Sequence, residues 1–119
     1  YPAWLLTWEQ KVDKRDVAPA FRQLTQALDD SEGMIWVVVD LGKNPNLPLH
    51  ETISSTLWGP SRHDKLRGWL VIGSNSTAQL IGRTLSKVTG RFNIQWFENM
   101  DQVLTHMQIV LDKEQSEIG

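Results

Sequence analysis

The chain contains no cysteine. That absence removes disulfides, thiolate nucleophiles and cysteine-ligated zinc at once, and it fits a reducing, cytoplasmic setting. Long apolar runs are missing as well. The longest, Met34 to Val39, is six residues, where a membrane-spanning helix needs about 20. The first residues show no secretory-leader pattern, and a start at Tyr1 rather than Met leads us to expect a trimmed N-terminus. Concentrated positive charge is also absent. Net charge is −2, and the densest basic spot, Lys11 to Arg15, is interrupted by Asp13 and followed by Asp16. Such a stretch reads as a solvated helix start rather than a nucleic-acid footprint, so no nucleic-acid partner is expected.

What remains is ordinary for a globular domain. The 119 residues are 40% hydrophobic and 22% charged, enough to bury a core in one domain without staples. Tryptophan is the outlier, with six. Trp4, Trp8, Trp36, Trp69 and Trp96 fall in predicted strands, where packing on a sheet face accounts for them.

The hydrophobic period switches repeatedly along the chain. Met34-Ile35-Trp36-Val37-Val38-Val39, Trp69-Leu70-Val71-Ile72 and Phe92-Asn93-Ile94-Gln95-Trp96-Phe97 are short apolar runs, each followed by a segment of helical spacing. This alternation predicts βαβ units and an α/β fold: a small, mostly parallel sheet of four to five strands with about four helices. Trp4 to Trp8 reads as a first strand near an edge. A helix then begins between Asp13 and Val17, with Asp13 or Asp16 as its cap, and buries Val17, Phe21, Leu24 and Leu28. The strand from Met34 to Leu41 is apolar at nearly every position, as expected of a strand buried on both faces. Pro48 opens a short helix with Leu49, Ile53 and Leu57 as its apolar stripe. Leu66 to Gly73 is the third strand. The helix after Ser74-Asn75-Ser76-Thr77 repeats Ala78, Ile81, Leu85 and Val88. Asn93 to Phe97 is the last strand. Asn99 and Gln102 resemble a capping box for a final helix with Met100, Val103, Leu104, Met107 and Leu111 inward. The polar tail from Asp112 to Gly119 is expected to fray.

Chemistry has little to stand on. In open α/β sheets ligands gather outside the carboxyl ends of the strands. That edge carries Asp40 and Lys43, then Ser74, Asn75 and Ser76, then Glu98 and Asn99. Free amides near Ser76 could hold an anion, but Ser, Asn and Thr at a helix start are first of all caps. The stretch lacks the spacing and the lysine of a phosphate-binding loop. His50, His63 and His106 do not converge, so neither a metal site nor a cofactor is implied. No serine stands in a nucleophile-elbow context. Catalysis is not the expected role. Leu47, Leu49 and Trp58 place apolar groups in and beside a loop. If exposed they form a docking patch; if the loop folds back they complete the core.

The element order, with Val38-Val39-Asp40-Leu41 and the junction Phe97-Glu98-Asn99-Met100-Asp101, resembles the STAS domain superfamily, the fold of bacterial anti-sigma-factor antagonists. Within that superfamily it looks most similar to the SpoIIAA-like branch, which is related in shape to small lipid-carrier domains. The resemblance implies a non-catalytic regulatory or protein-interaction module that docks a protein partner around Lys43 to Trp58. The alternative it implies is a carrier for a small apolar or lipid-like ligand, with its pocket between the second helix and the sheet. A serine opens the matching helix in phosphorylated antagonists. Here Asn46-Leu47-Pro48-Leu49-His50-Glu51 stands in its place, so that switch has no acceptor at the helix start. A homodimer is open on general grounds.

Two substitutions test this reading. Trp36→Asp places a charge in a central strand and should unfold the domain; an unchanged melting temperature would remove the sheet assignment. Leu47→Asp should leave folding nearly intact while weakening partner or ligand binding; loss of the fold would place Leu47 in the core.

Overall fold

The computed structural model describes residues 3–8, 11–43, 45–57, 63–73, 75–89 and 93–118. Four strands, β1 (Ala3–Thr7), β2 (Ile35–Asp40), β3 (Leu66–Ile72) and β4 (Ile94–Phe97), alternate with four helices, α1 (Lys14–Asp30), α2 (Leu49–Leu57), α3 (Ser76–Thr89) and α4 (Met100–Ile118). The fold is α/β, as expected. Its sheet is parallel throughout, in the order β1-β2-β3-β4.

Period-two alternation splits β2 and β3 between two cores. Val37, Val39, Trp69 and Val71 join Val17, Phe21, Leu24 and Leu28 of α1 and Ala78, Ile81 and Leu85 of α3. Trp36, Val38, Leu70 and Ile72 join Val103 and Met107 of α4. Three crossovers each step one strand in the same direction. With right-handed connections they stack α1, α2 and α3 on one face, and α4 is left to cover the other.

Asp13 caps α1. Its carboxylate accepts from the Arg15 amide at 2.9 Å, and Asp16 reaches back to the Asp13 amide at 3.1 Å, closing a capping box. Both acids of the expected pair are therefore used. Pro19 falls beyond the first turn and deprives the exposed Arg15 carbonyl of its intrahelical donor. At the other end, the Lys65 ammonium donates to the Asp29 and Ser31 carbonyls, binding the α1 terminus to the start of β3. On the opposite face β3 carries one extra residue against the Ile35/Trp36 step. That residue, Arg67, lays its guanidinium 4.2 Å from the Trp36 ring centroid and pairs with Glu114 of α4.

Several expected inward positions are exposed. Leu104 and Val88 lie outside, because each sits at the margin of its helix's buried face. The stripe of α2 is also different. Thr52 and Thr56 are the buried positions, Ile53 is half-buried, and Leu49 is 41% exposed. α4 does not fray at Asp112 but runs to Ile118, anchored through Glu114. Its N-terminus varies the capping box. The Asn99 carboxamide accepts from the Gln102 amide at 3.0 Å, while Gln102 accepts from Glu98 rather than Asn99.

The loop 42–48 folds inward. An isolated parallel bridge joins Lys11 to Asn46, and Asn75 donates to the Pro45 carbonyl at 2.8 Å. Leu47 is consequently only 7% exposed and belongs to the core. With Leu47 held inward, Leu49 falls on the outer side, and the helix presents its threonines to the sheet. The patch contributed by Leu47 therefore does not form. Leu47→Asp should destabilise by several kcal/mol, a large part of a domain's total stability. Leu49→Asp should stay within about 0.5 kcal/mol of the parent. Urea denaturation of the two variants side by side checks the assignment; equal midpoints would overturn it.

Candidate functional site

α2 and α3 meet over the sheet, above a space whose lining runs from Leu6 and Trp8 to Ile94 and Trp96, and their facing side chains are small. Thr52 and Thr56 come from α2, Ala78 and Gly82 from α3. These are too short to fill the space above Val39, Val71 and Trp69, and an apolar cavity of about 60 Å³ remains. Leu47 and Phe21 close it on the α1 side, and Ile94 and Trp96 close it at the sheet edge. Its described lining contains no acid, base or thiol; its polar side-chain groups are the two threonine hydroxyls and the Trp69 indole nitrogen.

Thr56 donates its hydroxyl hydrogen to the Thr52 carbonyl at 2.7 Å. The Thr52 hydroxyl is different. Thr52 is only 6% exposed, and its Oγ1 has no hydrogen-bond partner within the described residues. A buried hydroxyl left in that state costs about 1–3 kcal/mol.

Trp96 forms the outer wall. It is 37% exposed on the edge strand. Gly82 allows its ring to approach α3 closely: a Cβ there would stand 3.3 Å from Ile94 Cδ1 and 3.4 Å from Trp96 Cζ2. On the far side of Trp96 lies an open groove of about 490 Å³, bounded by Gln79, Gly82, Arg83, Ser86, Lys87, Ile94 and Trp96. Gly82, Ile94 and Trp96 line both spaces.

At the carboxyl edge of the sheet a groove of about 510 Å³ opens beside Gly73, Phe97 and Glu98, while other residues there make structural contacts. Asp40 accepts from the Gly42 amide at 2.8 Å, shaping the turn after β2. Asn75 is buried and uses both ends of its carboxamide, accepting from the Ala78 amide at 2.9 Å and donating to Pro45. It is the α3 cap. Gly73, at φ +104°, makes the turn after β3, where a Cβ would meet the Leu41 carbonyl at 3.2 Å. Lys43 and Ser76 are exposed. Ser74 and Trp58 lie outside the described residues, as does the side chain of Leu57. Among the described candidate surface residues, the cavity takes Leu47 alone as a lining residue; Ile53 packs on the same core.

Two of the three histidines make structural contacts. His63 accepts the Lys65 amide on Nδ1 at 3.1 Å, so its proton resides on Nε2, which donates to Asp29 at 2.7 Å. Both ring nitrogens are thereby engaged. The His106 ring packs at a tilt against Phe97, with centroids 5.4 Å apart. Among the described residues no group of three potential metal ligands converges, and no helix is long and apolar enough to cross a membrane.

Sequence reasoning missed Thr52, Thr56, Gly82 and Trp96 as site residues. Two threonines four residues apart share a helix face, but polarity assigned that face to solvent. Compared with protein-family models, curated proteins and solved structures, the chain gives no significant match to any of them.

Replacing Thr52 by the isosteric valine removes the buried hydroxyl and keeps the shape. Thr52→Val should raise stability by about 1 kcal/mol, read as a later urea midpoint with an unchanged slope. A loss of stability would show that the hydroxyl is satisfied in solution.

Proposed function

We propose that this domain is a non-catalytic binding module that receives the apolar end of a small ligand in the cavity between the sheet, α2 and α3. The observation that carries this reading is the buried Thr52 hydroxyl, without a hydrogen-bond partner among the described residues, on a residue that lines a predominantly apolar cavity. A core built only for stability gains nothing from such a group. A binding site uses it to orient a ligand, with few polar groups in an apolar lining. The absence of acids and bases from the described lining supports a binding role over catalysis.

The cavity has the volume of about two water molecules. It suits a terminal alkyl segment rather than a whole molecule, and the groove beyond Trp96 provides for the remainder. Kinship with STAS domains is part of the same proposal and rests on element order. Of the two uses that kinship implies, the ligand-carrier reading gains the cavity, while the protein-docking reading loses Leu47 to the core.

The test is a neutral alkyl ligand. 1-Octanol at about ten times its dissociation constant should raise Tm by about 5 °C and change the emission of Trp69 and Trp96. Ala78→Leu, which fills the cavity, should abolish the shift. Val71→Ile, one methylene larger, should weaken it if the first variant fails to fold. Equal responses from parent and filled variants would overturn the proposal.

A further inference from the structure

The groove outside Trp96 has a chemical character that the cavity lacks. Its described charged residues, Arg83 and Lys87, are both cationic. They stand four residues apart on α3 and so share a face. α3 contains no acidic residue at all, and neither cation enters an ion pair among the described residues. Like charges at this spacing repel, at a small cost to the helix. The helix dipole accounts for Lys87, which lies in the last turn. It does not account for Arg83, a turn earlier.

We propose that the ligand is an anionic amphiphile, with its apolar end in the cavity and its carboxylate or phosphate head on Arg83 and Lys87. This inference rests on the cavity reading above. The two spaces share Gly82, Ile94 and Trp96 as a common wall, so a chain that enters by displacing the half-exposed Trp96 ring leaves its other end among the cations. An anion there relieves the Arg83–Lys87 repulsion. Arg83 offers a planar fork suited to two oxygens of either head group, and Ser86 and Gln79 add neutral donors. The groove's volume falls within the range of small-ligand sites. Trp96 supplies an apolar wall to both spaces.

The experiment compares ligands that share a tail and differ in head. Octanoate, octyl phosphate, 1-octanol and acetate are titrated into the full chain at low salt by calorimetry. Octanoate or octyl phosphate should bind at least about tenfold more tightly than 1-octanol, as expected of a charge-assisted bond. Whichever of the two is tighter identifies the head group. Acetate, without a tail, should bind far more weakly. In the double variant Arg83→Gln/Lys87→Gln the preference for the anion should vanish while 1-octanol binding and Tm persist. Added salt should weaken the anions and leave 1-octanol unchanged.

Equal affinity for octanol and octanoate in the parent, or a preference that survives the double variant, would overturn this proposal and leave the cavity reading standing. Failure of every alkyl ligand would overturn both. An acidic peptide laid along the open edge of β4 would use the same cations without the cavity. Tight binding of oligoglutamate that is insensitive to Ala78→Leu, with no octanoate binding, would replace the amphiphile by that partner.

Discussion

β2 and β3 are buried on both faces, and the rest of the structure is arranged to cover them. Their side chains alternate between two cores, so neither strand has a face that tolerates water. Parallel pairing dictates how the covering is done. Each connection from one strand to the next must cross over the sheet, and right-handedness sends every crossover to the same side when the strand order advances without reversal. Three helices therefore crowd one face while a single helix serves the other.

The two faces meet this demand differently. On the α4 side one helix spans too little width to seal the sheet. The rim is closed by side chains instead: an extra residue in β3 brings Arg67 over Trp36, and Glu114 holds it there. On the crowded side the central crossover is the weak point. α1 and α3 are long and carry large apolar residues inward. α2 is short, begins from a loop pinned by Asn75 and by the Lys11–Asn46 bridge, and presents threonines. The space they leave is the cavity. Its position beneath α2 and α3 follows from the small residues of α3, Ala78 and Gly82, facing those threonines.

Much of this was legible in the sequence. The order of elements, the parallel sheet and the double burial of β2 follow from apolar periodicity, because burial in β strands and long helices dominates other local preferences. The α1 face was read residue by residue, since Val17, Phe21, Leu24 and Leu28 are all large and aliphatic or aromatic. α2 was misread for a physical reason. Over nine residues a stripe of Leu49, Ile53 and Leu57 competes with a stripe of Thr52 and Thr56, and hydrophobicity favours the first. The loop decides otherwise through long-range bonds, from Asn75 to Pro45 and from Lys11 to Asn46, which no local pattern encodes. The cavity was invisible for the same reason: a void is a property of facing elements, and its signature was a set of small residues spread over two helices.

The topology also bears on where the candidate site lies relative to the place open α/β sheets usually give one. Ligands in such sheets sit at the carboxyl edge because two adjacent connections diverge to opposite faces there, opening a crevice. Here the order runs β1-β2-β3-β4, so the three crossovers stay on one face, and neighbouring connections part only after β3 and β4, where α3 and α4 leave toward opposite faces beside an open groove of about 510 Å³ lined by Gly73, Gln79, Trp96, Phe97, Glu98 and Gln102. Other residues at that edge are spent on turns and caps, as Asp40 and Asn75 show. The unfinished surface lies at the flank, where the last crossover helix descends beside a four-residue edge strand with no neighbour among the described residues. β4 leaves one side of Trp96 facing the interior and the other facing solvent. A tryptophan in that position separates an apolar interior from a basic exterior, which is the division an amphiphilic ligand requires.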